Sequence, residues 1–223
     1  MTIQGYEGSF HQVAARQFFG KDVDVIPCAT FRDVVRIGED AKQSDGAVMA
    51  MENSIAGSIL PNYNLLQKSK LQVIGEVYLS ISQNLLVYPG VKLEDIKEVH
   101  SHPMAILQCL DYLENQDWKL VETEDTALSA KQVRQHKSKH IAAIASKLAA
   151  QLFELDVITP DIHTLKNNIT RFLIMVPAKQ KIEIADASNK MEFKANGSIM
   201  VFDGFQKILK EQKLNQSKRE KTY

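Results

Sequence analysis

The chain has few of the residues that mark the specialised protein classes: two cysteines, one tryptophan and six prolines in 223 residues, with 27 Lys and Arg against 27 Asp and Glu. Cys28 and Cys109 lie far apart and have no histidine at metal-ligand spacing, which argues against a disulfide framework or a structural zinc. They read as small core or site-lining residues. A formal net charge of zero offers no basic face to nucleic acid. No apolar run is long enough to span a bilayer, and Met1-Thr2-Ile3-Gln4-Gly5 has neither the basic start nor the apolar block of a signal peptide. These absences point to a cytoplasmic protein with no membrane or nucleic-acid partner.

What is present is an alternation of short apolar runs and amphipathic segments. A brief strand leads into Gly5-Tyr6-Glu7-Gly8-Ser9-Phe10, a glycine turn opening a helix with Phe10, Val13, Ala14 and Phe18 on one face. Such a junction aims backbone N–H groups and the positive end of the helix dipole at one place, where a carboxylate or phosphate would bind, although Ser9 as a plain N-cap explains it equally well. Val23 to Pro27 reads as a strand, Thr30 caps a helix through Ile37, and Gly46 to Met51 is the continuous apolar strand expected when both faces are buried. The βαβαβ rhythm predicts a parallel α/β lobe. Its last strand runs into Glu52-Asn53-Ser54, again polar groups at a strand's C-terminal end, where open α/β sheets bind ligands.

Leu71 to Tyr88 is strand-like throughout, and a stretch of that length can leave one lobe and enter another. A second alternating set follows. Within it Ser101 is placed to cap a helix from Pro103 to Leu113, Gln108 lies about two turns beyond Ser101, and His102 is a candidate for titration near neutrality. Asp125 is most simply an N-cap, and Ser146 to Leu155 is a helix rich in small residues. Beyond an irregular loop comes Asn167-Asn168-Ile169-Thr170-Arg171-Phe172, which leads into the apolar strand Leu173 to Val176. Desolvation at the mouth of a buried strand makes each of these polar groups costly without a partner, so a site is expected there, against the plainer reading of a solvated loop.

Four polar junctions thus fall at strand ends in two lobes: GYEGSF, ENSIAGS, SHPMAILQC and NNITRF. Together with Thr126, Ala127 and Ala130, and with Ala142 to Ser146 and Ala149-Ala150, their order resembles that of the prephenate dehydratase catalytic domain from Ile3 to Val176. Met104 stands where the family usually has a second glutamine, and the segment Ile162 to Lys166 lacks the usual acidic residue and prolines. The resemblance implies an α/β, two-lobed, periplasmic-binding-protein-like (type II) fold with the ligand cleft between lobes. Lobe 1 would take residues 1–76 plus 160–177, and lobe 2 residues 77–159. The implied reaction converts prephenate to phenylpyruvate, water and carbon dioxide, without metal or cofactor, in a protein that self-associates, expected as a dimer.

On this likeness Thr170 donates to the leaving hydroxyl, with Glu52 as the rival acid, Asn53 and Gln108 in the catalytic set, and Ser9, Ser54, Ser101, Arg171 and Phe172 holding substrate. Dehydration of arogenate, the amino counterpart, and non-catalytic binding of an anionic metabolite remain as alternatives. The family's small phenylalanine-binding regulatory (ACT) domain finds no match in residues 178–223, which read as a short atypical tail; Lys190 to Phe193 would be a remnant strand, Phe205 to Leu214 a basic helix and Asn215 to Tyr223 disordered. Activity insensitive to phenylalanine is therefore expected, and inhibition by millimolar phenylalanine would contradict it.

Overall fold

The computed structural model describes residues 1–178, so the readings made for the remainder of the tail lie outside the described residues. The first lobe runs through β1 (Thr2–Gln4), α1 (Phe10–Phe19), β2 (Ile26–Cys28), α2 (Phe31–Gly38), β3 (Ala47–Asn53), β4 (Gly57–Ser58), α3 (Leu60–Lys68) and β5 (Leu71–Ser80). The second contains β6 (Asn84–Val87), β7 (Glu98–Ser101), α4 (Pro103–Leu107), α5 (Leu110–Leu113), β8 (Lys119–Glu122), α6 (Thr126–Gln135), β9 (Ile141–Ala145), α7 (Lys147–Leu152) and β10 (Asp156–Thr159). The chain then returns to the first lobe as β11 (Ile169–Pro177).

Each lobe is built on one sheet, ordered β2-β1-β3-β11-β5 with β4 beside β3 in the first, and β10-β6-β9-β7-β8 in the second. β1 pairs parallel with β2 and β3, whereas β11 is antiparallel to both β3 and β5. The strand-like stretch 71–88 is two strands, since β5 stays paired with β11 as far as Ser80. The outgoing crossing is therefore Ile81 to Gln83, a few residues later than the sequence suggests, and it lies beside the returning one through Ile81 N–H donating to Asn168 O at 2.7 Å. The expected helix 103–113 is broken at Cys109, whose backbone (φ −114°, ψ 11°) separates α4 from α5.

β11 is the centre of the first lobe. Phe172 and Ile174 pack with Ile3, Val48, Val77 and the α1 residues Ala14 and Phe18 on one face. Leu173 and Met175 pack with Val34, Met49 and Met51 on the other. Full burial of such side chains contributes roughly 1.5–3 kcal/mol each, so the strand that delivers Thr170 is also the most firmly held. Polar groups at its end inherit that rigidity.

The lobes touch through the first loop. A Cβ at Gly8 (φ +88°) would lie 2.9 Å from Ala149 Cα at α7, and one at Gly5 (φ +88°) would lie 2.6 Å from Asp125 Oδ2 at the start of α6. Ser146 Oγ donates to Gly8 O at 2.5 Å. The two glycines are therefore required twice over, by a left-handed backbone and by the close approach of the facing lobe.

Candidate functional site

A cleft of about 280 Å³ opens between the lobes, lined from the first by Ser9, His11, Asn53, Thr170 and Phe172 and from the second by His102, Gln108, Glu124 and Asp125, with Gln83 from the crossing. Its polar floor is the end of the β3–β11 pair, where Thr170 sits opposite Asn53.

The orientation of the Asn53 amide is fixed by backbone. Its Oδ1 accepts the N–H groups of Ile55 and Ala56, both at 2.9 Å. Nδ2 consequently donates to Asn168 Oδ1 at 2.6 Å and to Thr170 Oγ1 at 2.9 Å. With Asn168 accepting at its oxygen, its Nδ2 donates to Gln108 Oε1 at 3.1 Å, and Gln83 Nε2 reaches the same oxygen at 3.4 Å. One end of this chain of amides makes Thr170 an acceptor, so the hydroxyl proton is left to point elsewhere, and no acceptor for it occurs among the described residues. Thr170 is thereby set as a donor towards the cleft.

Ser9 stands at the N-cap position of α1 without making a cap bond; Gln12 Oε1 instead reaches back to Gly8 N–H at 2.7 Å. Ser9 lines the cleft next to the helix N-terminus, and its buried Oγ has no partner among the described residues. It therefore suits a ligand carboxylate.

His11, in the first turn of α1, went unnoticed in the sequence. Its Nε2 accepts Ala50 N–H at 3.3 Å, which places the ring proton on Nδ1. The ring meets Phe172 edge to face, with centroids 5.0 Å apart at 83°. Burial lowers its pKa to about 3, so the imidazole is neutral in the native protein. The unfolded chain binds a proton near pH 6.5 and the folded one only near 3, so His11 makes stability fall as pH drops through that window. His11→Gln keeps an acceptor for Ala50 and removes the titration. Urea midpoints measured between pH 7 and 4 are expected to fall less in this variant than in the wild type, and parallel curves would assign the acid sensitivity elsewhere.

Among the remaining cleft residues, His102 caps α4 by accepting Met104 N–H at 3.2 Å. Tyr6 OH donates to Glu124 at 2.7 Å, and Asp125 caps α6 through Leu128 N–H at 2.9 Å. Burial raises the Asp125 pKa, and the backbone N–H groups of Leu128 and Ala127 oppose that shift. No lysine or arginine among the described residues lines the cleft. Among the described residues no cluster of His, Cys, Asp and Glu is arranged to hold a metal ion.

Four of the expected site residues stand elsewhere. Arg171 is fully buried on the opposite face of the sheet, where Nε binds Glu76 at 2.7 Å and Nη1 binds Glu52 at 3.3 Å. Glu52, also buried, takes a further hydrogen bond from Tyr63 OH at 2.6 Å, so neither residue of this pair reaches the cleft. The cause is a bulge: Arg171 pairs with Glu52 but Phe172 pairs with Ala50, which leaves Met51 unpaired and puts Met51 and Glu52 together on the far face. Ser101 Oγ is buried and donates to Ile144 O at 2.7 Å, tying β7 to β9 in place of capping α4. Ser54 Oγ donates to Asn167 O at 2.8 Å and accepts Ile169 N–H at 2.9 Å, joining the loop after β3 to the start of β11.

Comparisons with known proteins bear on this cleft. Residues 1–180 match the family model described as prephenate dehydratase. The chain is 38% identical over 175 residues to arogenate dehydratase/prephenate dehydratase 1 of Arabidopsis thaliana, covering 78% of this chain and 44% of that protein. It thus spans about half the length of the curated relatives it matches. Among solved structures, prephenate dehydratase from Arthrobacter aurescens in complex with L-Phe superposes with a TM-score of 0.70 at 27% identity, over 82% of this chain and 62% of that one. GqqA, described as a novel type of quorum quenching acylase, superposes with a TM-score of 0.72 at 30% identity, over 82% and 65% of the two chains. The family model covers both lobes and every strand end of the cleft, and the chain belongs to the prephenate dehydratase family.

Proposed function

We propose that the cleft catalyses the decarboxylating dehydration of prephenate to phenylpyruvate, water and carbon dioxide, a step of phenylalanine biosynthesis, and that the same step would dehydrate arogenate. The observation that carries this is the hydroxyl of Thr170, held as a donor by an amide whose own orientation is dictated by two backbone N–H groups. Loss of the ring carboxylate aromatises the ring and pushes out the ring hydroxyl as its C–O bond breaks. The protein's task is to deliver a proton or hydrogen bond to that oxygen and to hold the substrate in line.

The other cleft groups suit that task. Ser9 Oγ and the α1 N-terminus supply neutral donors to carboxylates, and Phe172 gives the ring an apolar wall. A cation clamped on the departing carboxylate would stabilise the ground state and oppose its loss, so a cleft with no lysine or arginine among its described lining residues favours decarboxylation. Thr170 is the proposed proton donor, with Asn53 as its orienting partner. Gln108 anchors the amide chain from the second lobe.

Acyl hydrolysis, suggested by the second structural relative, is less well served. A threonine nucleophile needs a base to take its proton, and the group against Thr170 Oγ1 is an amide donor. Non-catalytic binding leaves the enforced donor without purpose. On the same reading the protein acts as a dimer in the cytoplasm. Incubating the purified chain with prephenate and following phenylpyruvate absorbance tests the central reading; turnover no faster than the spontaneous reaction would refute it.

A further inference from the structure

The amide chain has a second end, and its chemistry distinguishes the two candidate substrates of the proposed reaction, on which this inference rests. Prephenate carries a keto group in its side chain, and arogenate an ammonium group. Because Asn53 is locked by the Ile55 and Ala56 N–H groups, every amide beyond it is locked in turn: Asn168 must donate to Gln108 Oε1, and Gln83 must donate to that same oxygen. Flipping Gln83 would set two carbonyl oxygens against each other. Gln83 lines the cleft with a side chain only 4% exposed, and it is therefore left with a buried Oε1 that has no donor among the described residues. A buried acceptor without a donor is a standing cost, relieved when a bound group brings an N–H or O–H to it.

The charges in the cleft agree with this requirement. Among the described residues its lining contains two carboxylates, Glu124 and Asp125, and no lysine or arginine. Glu124 already accepts from Tyr6 OH, while one oxygen of Asp125 caps α6. A side chain ending in a keto acid presents only acceptors and negative charge to these groups, and its ring hydroxyl is engaged by Thr170. An ammonium supplies three donors and the missing positive charge.

We propose that the cleft selects the amino form, arogenate, over the keto form, prephenate, with Gln83 Oε1 and the Asp125 carboxylate as the acceptors that meet the ammonium group.

The test compares both substrates on the full chain. Initial rates of phenylalanine formation from arogenate and of phenylpyruvate formation from prephenate are expected to give a kcat/KM ratio of at least about tenfold in favour of arogenate, since sites built around a hydrogen bond reject analogues lacking it. Gln83→Met keeps the length of the side chain and removes the acceptor. Asp125→Asn keeps an N-cap and removes the charge. Each is expected to lower that ratio by about tenfold or more. Calorimetry on Thr170→Ala, in which turnover is slowed enough for binding to be read, should give the same preference in Kd. Equal or better use of prephenate by the wild type, or a ratio unmoved by both variants, overturns the proposal. If the wild type turns over neither substrate, the assigned reaction fails, and the calorimetric preference still decides the selectivity: tighter arogenate sustains it and equal binding sinks it.

Discussion

Thr170→Ala is expected to lower kcat by roughly a hundredfold to a thousandfold, the usual loss when one transition-state donor is removed. KM should change little, because the hydroxyl makes its strongest interaction only as the C–O bond breaks. Thr170→Ser should recover most of the activity, since a serine hydroxyl can accept from Asn53 Nδ2 as the threonine does at 2.9 Å and still donate. Thr170→Val keeps the shape and should be as poor as alanine. Rates of prephenate or arogenate dehydration in these variants, with folding checked by circular dichroism, settle the point. Near-normal turnover in the valine variant would remove Thr170 from the chemistry. A serine variant as slow as valine would mean that the methyl group's packing, and not the hydroxyl, is what the site needs.

The two-lobed α/β fold and its buried strands could be read from the alternation of apolar runs and polar junctions, because burial on both faces leaves runs such as Ala47 to Met51 and Leu173 to Val176 with little other interpretation. The polar junctions were legible too, and Thr170 and Asn53 stand together as adjacent strands require. What could not be read was which side of the sheet each polar residue faces. Strict alternation would put Glu52 on the same face as Ala50, which lines the cleft, and only the bulge at Met51 turns Glu52 away. For β11, alternation alone separates Arg171 from Thr170 and Phe172. That signal was in the sequence.

His11 and Gln83 were illegible for a different reason. A histidine in a first helical turn and a glutamine within a strand-like stretch carry no local mark of function. Their roles come from partners far away in the chain, Ala50 for the first and Gln108 for the second. Cleft polarity is in this sense a tertiary property: two backbone N–H groups after β3 set the direction of a chain of hydrogen bonds that ends in the crossing between lobes.

Arg171 carries the largest expected effect on stability. Its guanidinium is buried between the Glu52 and Glu76 carboxylates, which are held further by Tyr63 and Tyr78, and burial together with those carboxylates raises the pKa of both tyrosines. Arg171→Met fits the apolar surroundings but strands two buried carboxylates without a cation. Removing one member of a buried ionic group costs roughly 3–5 kcal/mol. In a chain of this size that corresponds to a fall in Tm on the order of 10 °C. Adding Glu52→Gln and Glu76→Gln to Arg171→Met should restore much of the loss, because well-matched neutral groups of similar volume often replace a buried ionic cluster at little cost. Activity should follow the folded fraction, with kcat per folded molecule reduced much less than in Thr170→Ala. Thermal unfolding of the single and triple variants beside their kinetics makes the distinction. An Arg171→Met protein that melts like the wild type yet loses turnover as Thr170→Ala does would place the guanidinium in the chemistry, and the ionic cluster would no longer be the brace that holds the catalytic strand end.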